Sequence, residues 1–235
     1  MEQKQLDAMV AAHEIWFENR SRGARLDLKK EDLRHLDLTG RRLIEARLED
    51  VDLSGAKLAG TELDRAELVR VSFRKAEMMR VMFSDAHLRE VDCTGANLYD
   101  AKLDGVQARA SVFDEARMQG AFLVKALFDR CSMRRALLKE ANCKRVQIQD
   151  CSLEGANLEE VNLTYALLVN VDMRRSRISG SIWTQAKMGP ARIFAVTGTP
   201  GRAEGCGFEA VDLSEAGDGS RISTAKDIVA LFTGA

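Results

Sequence analysis

Histidine and cysteine are the residues of this chain that could supply nucleophiles, general bases or soft metal ligands, and both are few. The 235 residues include three histidines and five cysteines. No cysteine pair has the C-x-x-C spacing of a zinc or dithiol site, and no histidine stands at a spacing typical of a catalytic pair. We therefore expect no catalytic, cofactor-binding or metal-binding residue, and we predict that the chain is not an enzyme. The residues concerned are His13, His35, His87, Cys93, Cys131, Cys143, Cys151 and Cys206.

The segment from Gly198 to Gly207 is rich in glycine, as phosphate-binding loops are. A phosphate loop also needs a Lys-Ser or Lys-Thr pair at the start of a helix, and this segment has neither. We therefore expect no nucleotide cofactor, and no small-molecule substrate.

Composition limits the partners further. The net charge is −1, with 35 basic and 36 acidic residues, which argues against a chain that binds nucleic acid through charge. The longest apolar runs are far shorter than the roughly 20 residues of a membrane span. We expect a soluble, cytoplasmic protein with reduced thiols, and a protein partner or a homodimer rather than a membrane or nucleic acid.

A five-residue period runs from Leu36 to Met188 without insertion or deletion. Every pentad centre from Leu38 to Met188 is apolar, and about half of the centres are leucine. The residue two positions before each centre is small, except at Leu36 and Arg41. This regularity has to be explained by the geometry of the backbone.

An α-helix cannot use this pattern, because residues two apart lie about 200° apart around its axis. In an extended chain, residues two apart point to the same side, and the two remaining residues of each pentad can turn a corner. Four such sides close a coil of twenty residues. The period therefore predicts an all-β fold, a right-handed quadrilateral parallel β-helix of about eight coils.

Units such as Ala56-Lys57-Leu58-Ala59-Gly60 and Ala96-Asn97-Leu98-Tyr99-Asp100 follow the pattern A-(D/N)-L-x-x. In this the chain resembles the pentapeptide repeat family, over about two thirds of its length. The resemblance implies a right-handed quadrilateral β-helix. It implies no single activity, because members of the family serve varied and mostly non-enzymatic roles.

Three regions are expected. Residues 1–25 form an N-terminal capping helix and lead-in, with the amphipathic helix at about residues 3–18. Residues 26–190 form the β-helix. Residues 191–235 form a C-terminal Gly-rich loop and a short helix, which begins at Ser223 or Thr224 and ends near Leu231. That helix either caps the second end of the rod or reaches a partner.

The twenty-residue phase predicts which side chains stack inside the coil. Phe73, Cys93 and Phe113 should share one wall, and Cys131 and Cys151 should lie on adjacent coils, where we expect free thiols rather than a disulfide. Ala108 is an undersized centre, which we interpret as compensation for larger neighbours rather than as a pocket. The aspartates and asparagines just before each centre should satisfy the turns.

One outward edge is basic. It could hold a phosphate chain or an acidic protein surface, although a general solvated edge is the favoured interpretation. Its residues are Arg34, Arg74, Lys75, Arg134, Arg135, Arg174 and Arg175.

Apolar residues also occupy outward positions on two adjoining faces, mostly in the C-terminal half. We expect them to form a patch that binds a partner or a second copy, unless the C-terminal segment covers it. They are Met82, Phe122, Val124, Leu127, Tyr165, Leu167, Val169 and Ile182.

These observations favour a non-enzymatic scaffold for protein-protein interaction. One alternative is a DNA-mimicking inhibitor or protector of DNA gyrase or topoisomerase, of the fluoroquinolone-resistance type, which the family resemblance suggests and the near-neutral charge opposes. Others are an accessory or adaptor protein of a bacterial secretion system, and an enzyme hidden in residues 191–235.

Overall fold

The computed structural model describes residues 1–215 and the backbone of Ile222–Ser223. In these residues one helix precedes a series of short strands. The elements are α1 (Gln3–Glu18), β1 (Asp27–Lys29), β2 (Arg47–Glu49), β3 (Glu67–Val69), β4 (His87–Arg89), β5 (Gln107–Arg109), β6 (Leu127–Asp129), β7 (Gln147–Gln149), β8 (Leu167–Val169), β9 (Val171–Asp172), β10 (Lys187–Met188), β11 (Ala191–Arg192), β12 (Gly207–Phe208), β13 (Val211–Asp212) and β14 (Ile222–Ser223).

Strands stack in parallel with a constant shift of twenty residues. One sheet has ten strands in the order β1-β2-β3-β4-β5-β6-β7-β8-β10-β12. Its register pairs Leu48 with Leu68 and Leu68 with Leu88. Isolated parallel bridges continue the same shift on the other walls, as between Asp37 and Lys57. The predicted parallel β-helix is confirmed, with about nine turns rather than eight. At about 4.8 Å per coil the ten strands span about 43 Å.

Both apolar positions of the pentad point into the coil. Leu98 and Leu158 are 0% and 3% exposed, and the alanines two positions before them are fully buried. The bridges between Ser72, Asp92 and Val112 place Phe73, Cys93 and Phe113 on one wall, as expected. A large and a small filler per side therefore pack the tube, as the pentad predicts.

Corners follow from the two remaining residues of each pentad. At most corners the second of these residues has a positive φ, for example 62° at His35 and 65° at Gly40. The next amide then donates to the carbonyl of the centre, as Leu36 N does to Leu33 O at 3.2 Å. Asx turns support the same corners, because the Asp37 carboxylate accepts from Thr39 N at 2.9 Å. The predicted turn role of these aspartates is confirmed.

At the corner after the ten-stranded sheet, some backbone amides donate to side chains of the next coil instead of to a turn carbonyl. Val91 N donates to Ser111 Oγ at 3.1 Å, and Cys131 N donates to Cys151 Sγ at 3.2 Å. Both cysteines are buried free thiols on adjacent coils, as predicted. A hydroxyl or thiol at this inward position therefore satisfies an amide that lacks a turn partner.

The helix α1 covers the first coil over the predicted span. Its residues Leu6, Val10 and His13 are fully buried. His13 Nδ1 accepts a hydrogen bond from Leu26 N at 2.9 Å. The Arg41 guanidinium lies 3.1 Å from the Glu14 carboxylate across the same contact. The cap is thus joined to the rod by apolar packing, a buried imidazole and an ion pair.

At the other end, the coil continues beyond residue 190, where the sequence interpretation placed a Gly-rich loop. Ala191 pairs with both Val171 and Val211, and Lys187 pairs with Gly207. The five-residue period continues there, but Gly198 and Ala203 occupy pentad centres, where most other pentads have a large apolar side chain. The repeat is therefore hard to recognise in this part of the sequence. The boundary at 190 is therefore too early.

The predicted C-terminal helix lies outside the described residues, apart from Ser223. That residue belongs to β14, which pairs antiparallel with β13. An antiparallel strand at this place covers the free edge of the small sheet formed by β9, β11 and β13.

Candidate interaction surface

The predicted apolar residues all face outward, on two adjoining walls. We call the outer face of the ten-stranded sheet the sheet wall, and the wall just before it in each coil the preceding wall. Leu127, Leu167 and Val169 lie on the sheet wall, in β6 and β8. Met82, Phe122 and Ile182 lie in the bridge row of the preceding wall, with Val124 and Tyr165 at its corner.

These residues form two clusters rather than one patch. The first cluster is Phe122, Val124 and Leu127, and the second is Tyr165, Leu167 and Val169. Four of these side chains are well exposed, with Phe122 at 44%, Leu127 at 37%, Tyr165 at 57% and Leu167 at 39%. The clusters lie two coils, or about 9.6 Å, apart.

The coil between the clusters is polar, because each row places residue i against i ± 20. Gln147 separates Leu127 from Leu167 on the sheet wall. The Arg145 guanidinium lies 5.8 Å from the Tyr165 ring, where it makes a cation-π contact. Met82 and Ile182 stand apart, since Lys102 and Asn162 lie next to them in their row. The single patch of the sequence interpretation is therefore divided by polar side chains.

Sequence reasoning missed a smaller apolar set on the wall opposite the sheet wall. Met79, Tyr99 and Leu137 are 38%, 43% and 36% exposed. Met79 and Tyr99 are twenty residues apart and lie on adjacent coils, joined by the Arg80 N to Tyr99 O hydrogen bond. The twenty-residue spacing was the signal that could have identified them.

The predicted basic edge lies along one corner, and most of its charge is neutralised. Nearby carboxylates pair with five of its seven residues: Arg34 with Asp32, Arg74 with Asp92, Arg135 with Glu115, Arg174 with Asp172 and Arg175 with Glu154. Hydrogen bonds from Arg34 hold the pKa of Asp32 below its usual range. Lys75 and Arg134 are the two edge residues without an ion pair in the described part of the chain. The edge thus carries little free positive charge.

A shallow cleft of about 680 Å³ runs over β3 to β6 on the sheet wall. Its floor is strand backbone, and its sides are the first and third residues of each strand. The side chains that line it include Glu67, His87, Arg89, Gln107, Arg109 and Leu127.

The residues that could do chemistry are dispersed. His13 is buried on the inner side of the cap helix, while His35 and His87 lie at separate outward positions. Burial raises the pKa of the Cys143 thiol to about 12 and that of Cys206 above its usual value. Across the described residues, no three His, Cys, Asp or Glu side chains are grouped so that they could hold a metal ion. Over the same residues no helix has the length and apolarity to cross a bilayer.

Comparison with known proteins identifies one matching family. A family model described as pentapeptide repeats matches in eight copies, and the matched residues include 32–68, 46–85, 76–113, 92–130, 116–155 and 141–180. The solved structure of HetL, a pentapeptide repeat protein involved in heterocyst differentiation regulation from the cyanobacterium Nostoc sp. strain PCC 7120, is 20% identical. That match covers 88% of this chain and 97% of HetL, with a TM-score of 0.39.

A trypsin-treated variant of QnrB1, a plasmid-mediated fluoroquinolone resistance protein, is 17% identical. That match covers 82% of this chain and 93% of the QnrB1 chain, with a TM-score of 0.41. These likenesses concern the fold alone. A search of curated proteins finds no match.

Proposed function

The chain belongs to the pentapeptide repeat family, and from that premise we propose that it is a non-enzymatic scaffold for protein-protein interaction. The rod presents its two apolar clusters to a partner protein or to a second copy of itself.

The observation that carries the proposal is the exposure of Phe122, Leu127, Tyr165 and Leu167 on adjoining walls. Large apolar side chains at these positions do not contribute to the core, which the inward pentad positions already fill. A stacked coil also holds them at set positions, so little conformational entropy is lost when a partner binds. Exposed aromatic and leucine side chains on a rigid support are typical of interaction sites.

The chemistry of the described residues supports a binding role over catalysis. The three histidines belong to different parts of the fold: the cap helix, a corner and the sheet wall. Burial raises the pKa of Cys143 and Cys206, which makes these thiols poor nucleophiles.

The charge pattern supports a scaffold over a DNA mimic, which needs rows of free carboxylates. Here the carboxylates pair with arginines of neighbouring coils, as Glu67 does with Arg47 at 3.0 Å and Asp50 does with Arg70. No feature in residues 1–215 favours the secretion-system accessory.

The test is a pull-down from the source organism with the tagged chain as bait. The Phe122→Asp plus Leu127→Asp variant should lose the captured partner, because two carboxylates would be desolvated at the contact. Leu137→Asp, on the opposite wall, is the matched control and should retain it. If the captured proteins and the molecular mass are both the same for the double variant as for the unmodified chain, the clusters are not the functional surface.

A further inference from the structure

We propose that the sheet wall is a self-docking face. Two copies of the chain would pack these walls together with their rods antiparallel, about a two-fold axis through β7. This inference rests on the proposed function and commits the sheet wall to a second copy, leaving the preceding wall for other partners.

The two well-exposed leucines of the sheet wall are equidistant from β7. Leu127 begins β6 and Leu167 begins β8, with Gln147 of β7 between them in the same row. A two-fold axis along β7 exchanges β6 with β8 and keeps the position along the strand. Leu127 of each copy then faces Leu167 of the other, and Gln147 faces its own equivalent. An isologous interface requires this kind of internal match.

Shape is complementary on the neighbouring strands. The same axis exchanges β5 with β10 and β4 with β12. The two glycines of this wall then meet long side chains, since Gly189 faces Arg109 and Gly207 faces His87. Gly189 N donates a hydrogen bond of 2.7 Å to Leu168 O. This bond keeps Gly189 in line with the third residues of the other strands, such as Arg109 and Val169. Positions without a side chain therefore leave room for the bulkier strands of the second copy.

Charge is complementary at the outermost pair. Arg89 ends β4, and Glu209 stands at the equivalent position after β12, held there by the Glu209 N to Met188 O hydrogen bond of 2.9 Å. The axis places Arg89 of one copy against Glu209 of the other. Both side chains are exposed, and neither has an ion-pair partner in the described part of its own chain. One pair is mismatched: Asp129 faces Val169, although Arg109 of its own chain neutralises it at 3.3 Å.

Two nearby placements of the axis are worse. An axis through β6 sets Asp129 against its own equivalent, and an axis through β8 sets Asp129 against Glu209. The preceding wall is a poorer match about the axis that would pair its exposed apolar residues. An axis midway between Phe122 and Ile182 there sets Lys102 against Arg202 and Asp104 against Glu204, both like-charge pairs.

The contact is small. The strands from β4 to β12 span about 29 Å, and three residues of strand are about 10 Å wide. Such a face buries less than the roughly 1,200 Å² of a standard stable interface. We therefore expect a weak, concentration-dependent dimer.

The test is sedimentation equilibrium of the full chain from about 5 to 500 µM, with far-UV circular dichroism as the folding check. Leu127→Lys and Leu167→Glu should each weaken self-association at least about tenfold. The double variant should return to within about threefold of the unmodified chain, because the axis sets each introduced lysine against an introduced glutamate of the other copy. Leu137→Lys, on the opposite wall, is the control and should not change the mass.

A monomer at the highest concentration, a dimer indifferent to the single variants, or a double variant that is not restored would each overturn the proposal. None of these outcomes depends on partner capture. If the chain is monomeric and Phe122→Asp still abolishes capture of a partner, self-docking fails while the scaffold function stands.

Discussion

Ala108 and Phe128 are paired in register on adjacent strands, β5 and β6, so that a small pentad centre stacks directly on a large one. The Phe128 ring also meets the Phe113 ring edge to face, with 5.7 Å between centroids. Both Ala108 and Phe128 are 2% exposed. The undersized centre is thus compensated inside the core, as the sequence predicts, and the cleft on the sheet wall lies on the other side of the backbone.

Enlarging Ala108 should therefore destabilise the rod. Ala108→Leu adds volume beside Phe128 and is expected to lower the free energy of unfolding by about 1–3 kcal/mol. Adding Phe128→Leu should recover part of the loss, since it returns space to the same layer. Urea denaturation of the two single variants and the double variant measures the coupling. Additive effects would show that the two side chains do not share this space.

Acidification should loosen the N-terminal cap through His13. Burial lowers the pKa of His13, and the nearby Arg25 and Arg20 add to the effect. A hydrogen bond with the Ile44 backbone and the charge of Glu14 oppose it without cancelling it. Below the usual histidine pKa of about 6.5, the unfolded chain binds a proton that the folded chain excludes. Stability is then full above that pH and falls as the pH drops toward the folded-state pKa. Protonated Nδ1 would also face the Leu26 amide as a second donor.

His13→Asn tests this, because an amide oxygen can accept from Leu26 N at every pH. The unmodified chain should melt at a lower temperature at about pH 5 than at about pH 7, by about 2–4 °C for each kcal/mol of stability lost. The His13→Asn variant should show a flatter profile over that range. His87→Asn, at an exposed position, should keep the original dependence. Equal profiles for all three proteins would contradict a role for the buried imidazole.

The five cysteines should differ sharply in reactivity toward iodoacetamide. Cys93, Cys131, Cys143 and Cys151 are at most 4% exposed. Cys206 is half-buried, with its Sγ 2.7 Å from Trp183 O. Native protein at pH 8 should therefore be labelled slowly and at Cys206 alone, whereas unfolded protein is labelled at all five. Cys206→Ser should abolish native labelling. Rapid native modification of Cys131 or Cys151 would mean that the corner they occupy opens.

The basic edge should bind polyanions weakly. Lys75 and Arg134 lack ion pairs in the described part of the chain, so about two charges are available to a polyanion. A plot of the logarithm of the affinity for inorganic polyphosphate against the logarithm of the salt concentration should therefore fall with a slope of about 2 or less. Fluorescence titration at several NaCl concentrations measures the slope. A steep slope that disappears in the Arg134→Glu plus Arg135→Glu variant would instead identify the edge as a phosphate-binding site.

DNA gyrase should be unaffected by the chain. A DNA mimic needs unpaired carboxylates, and here pairs such as Arg70 with Asp50 neutralise them across neighbouring coils. A supercoiling assay with purified gyrase and a molar excess of the chain is expected to show unchanged activity. Inhibition, or protection of gyrase from a fluoroquinolone, would make the topoisomerase alternative the better description.

The pentad by itself was sufficient to predict the parallel β-helix, the inward pair of each side and the twenty-residue phase. The physical reason is local: in an extended chain the parity of a position decides which way its side chain points. The cap helix was predictable on similar grounds, because Leu6, Val10 and His13 share the spacing of one helical face. The end of the rod was not, because Gly198 and Ala203 occupy centre positions without the bulk that marks a centre elsewhere.

Which outward residues become neighbours was decided by the tertiary structure, since stacking adds contacts between residues twenty apart along a row and across corners. Gln147 divides Leu127 from Leu167 in this way, and Glu154 neutralises Arg175 of the next coil at 2.8 Å. Side-chain direction comes from the backbone of a single coil. The charge and apolarity of a surface depend on side chains from several coils. Which charges are paired and which apolar side chains are neighbours is therefore fixed only when the coils stack.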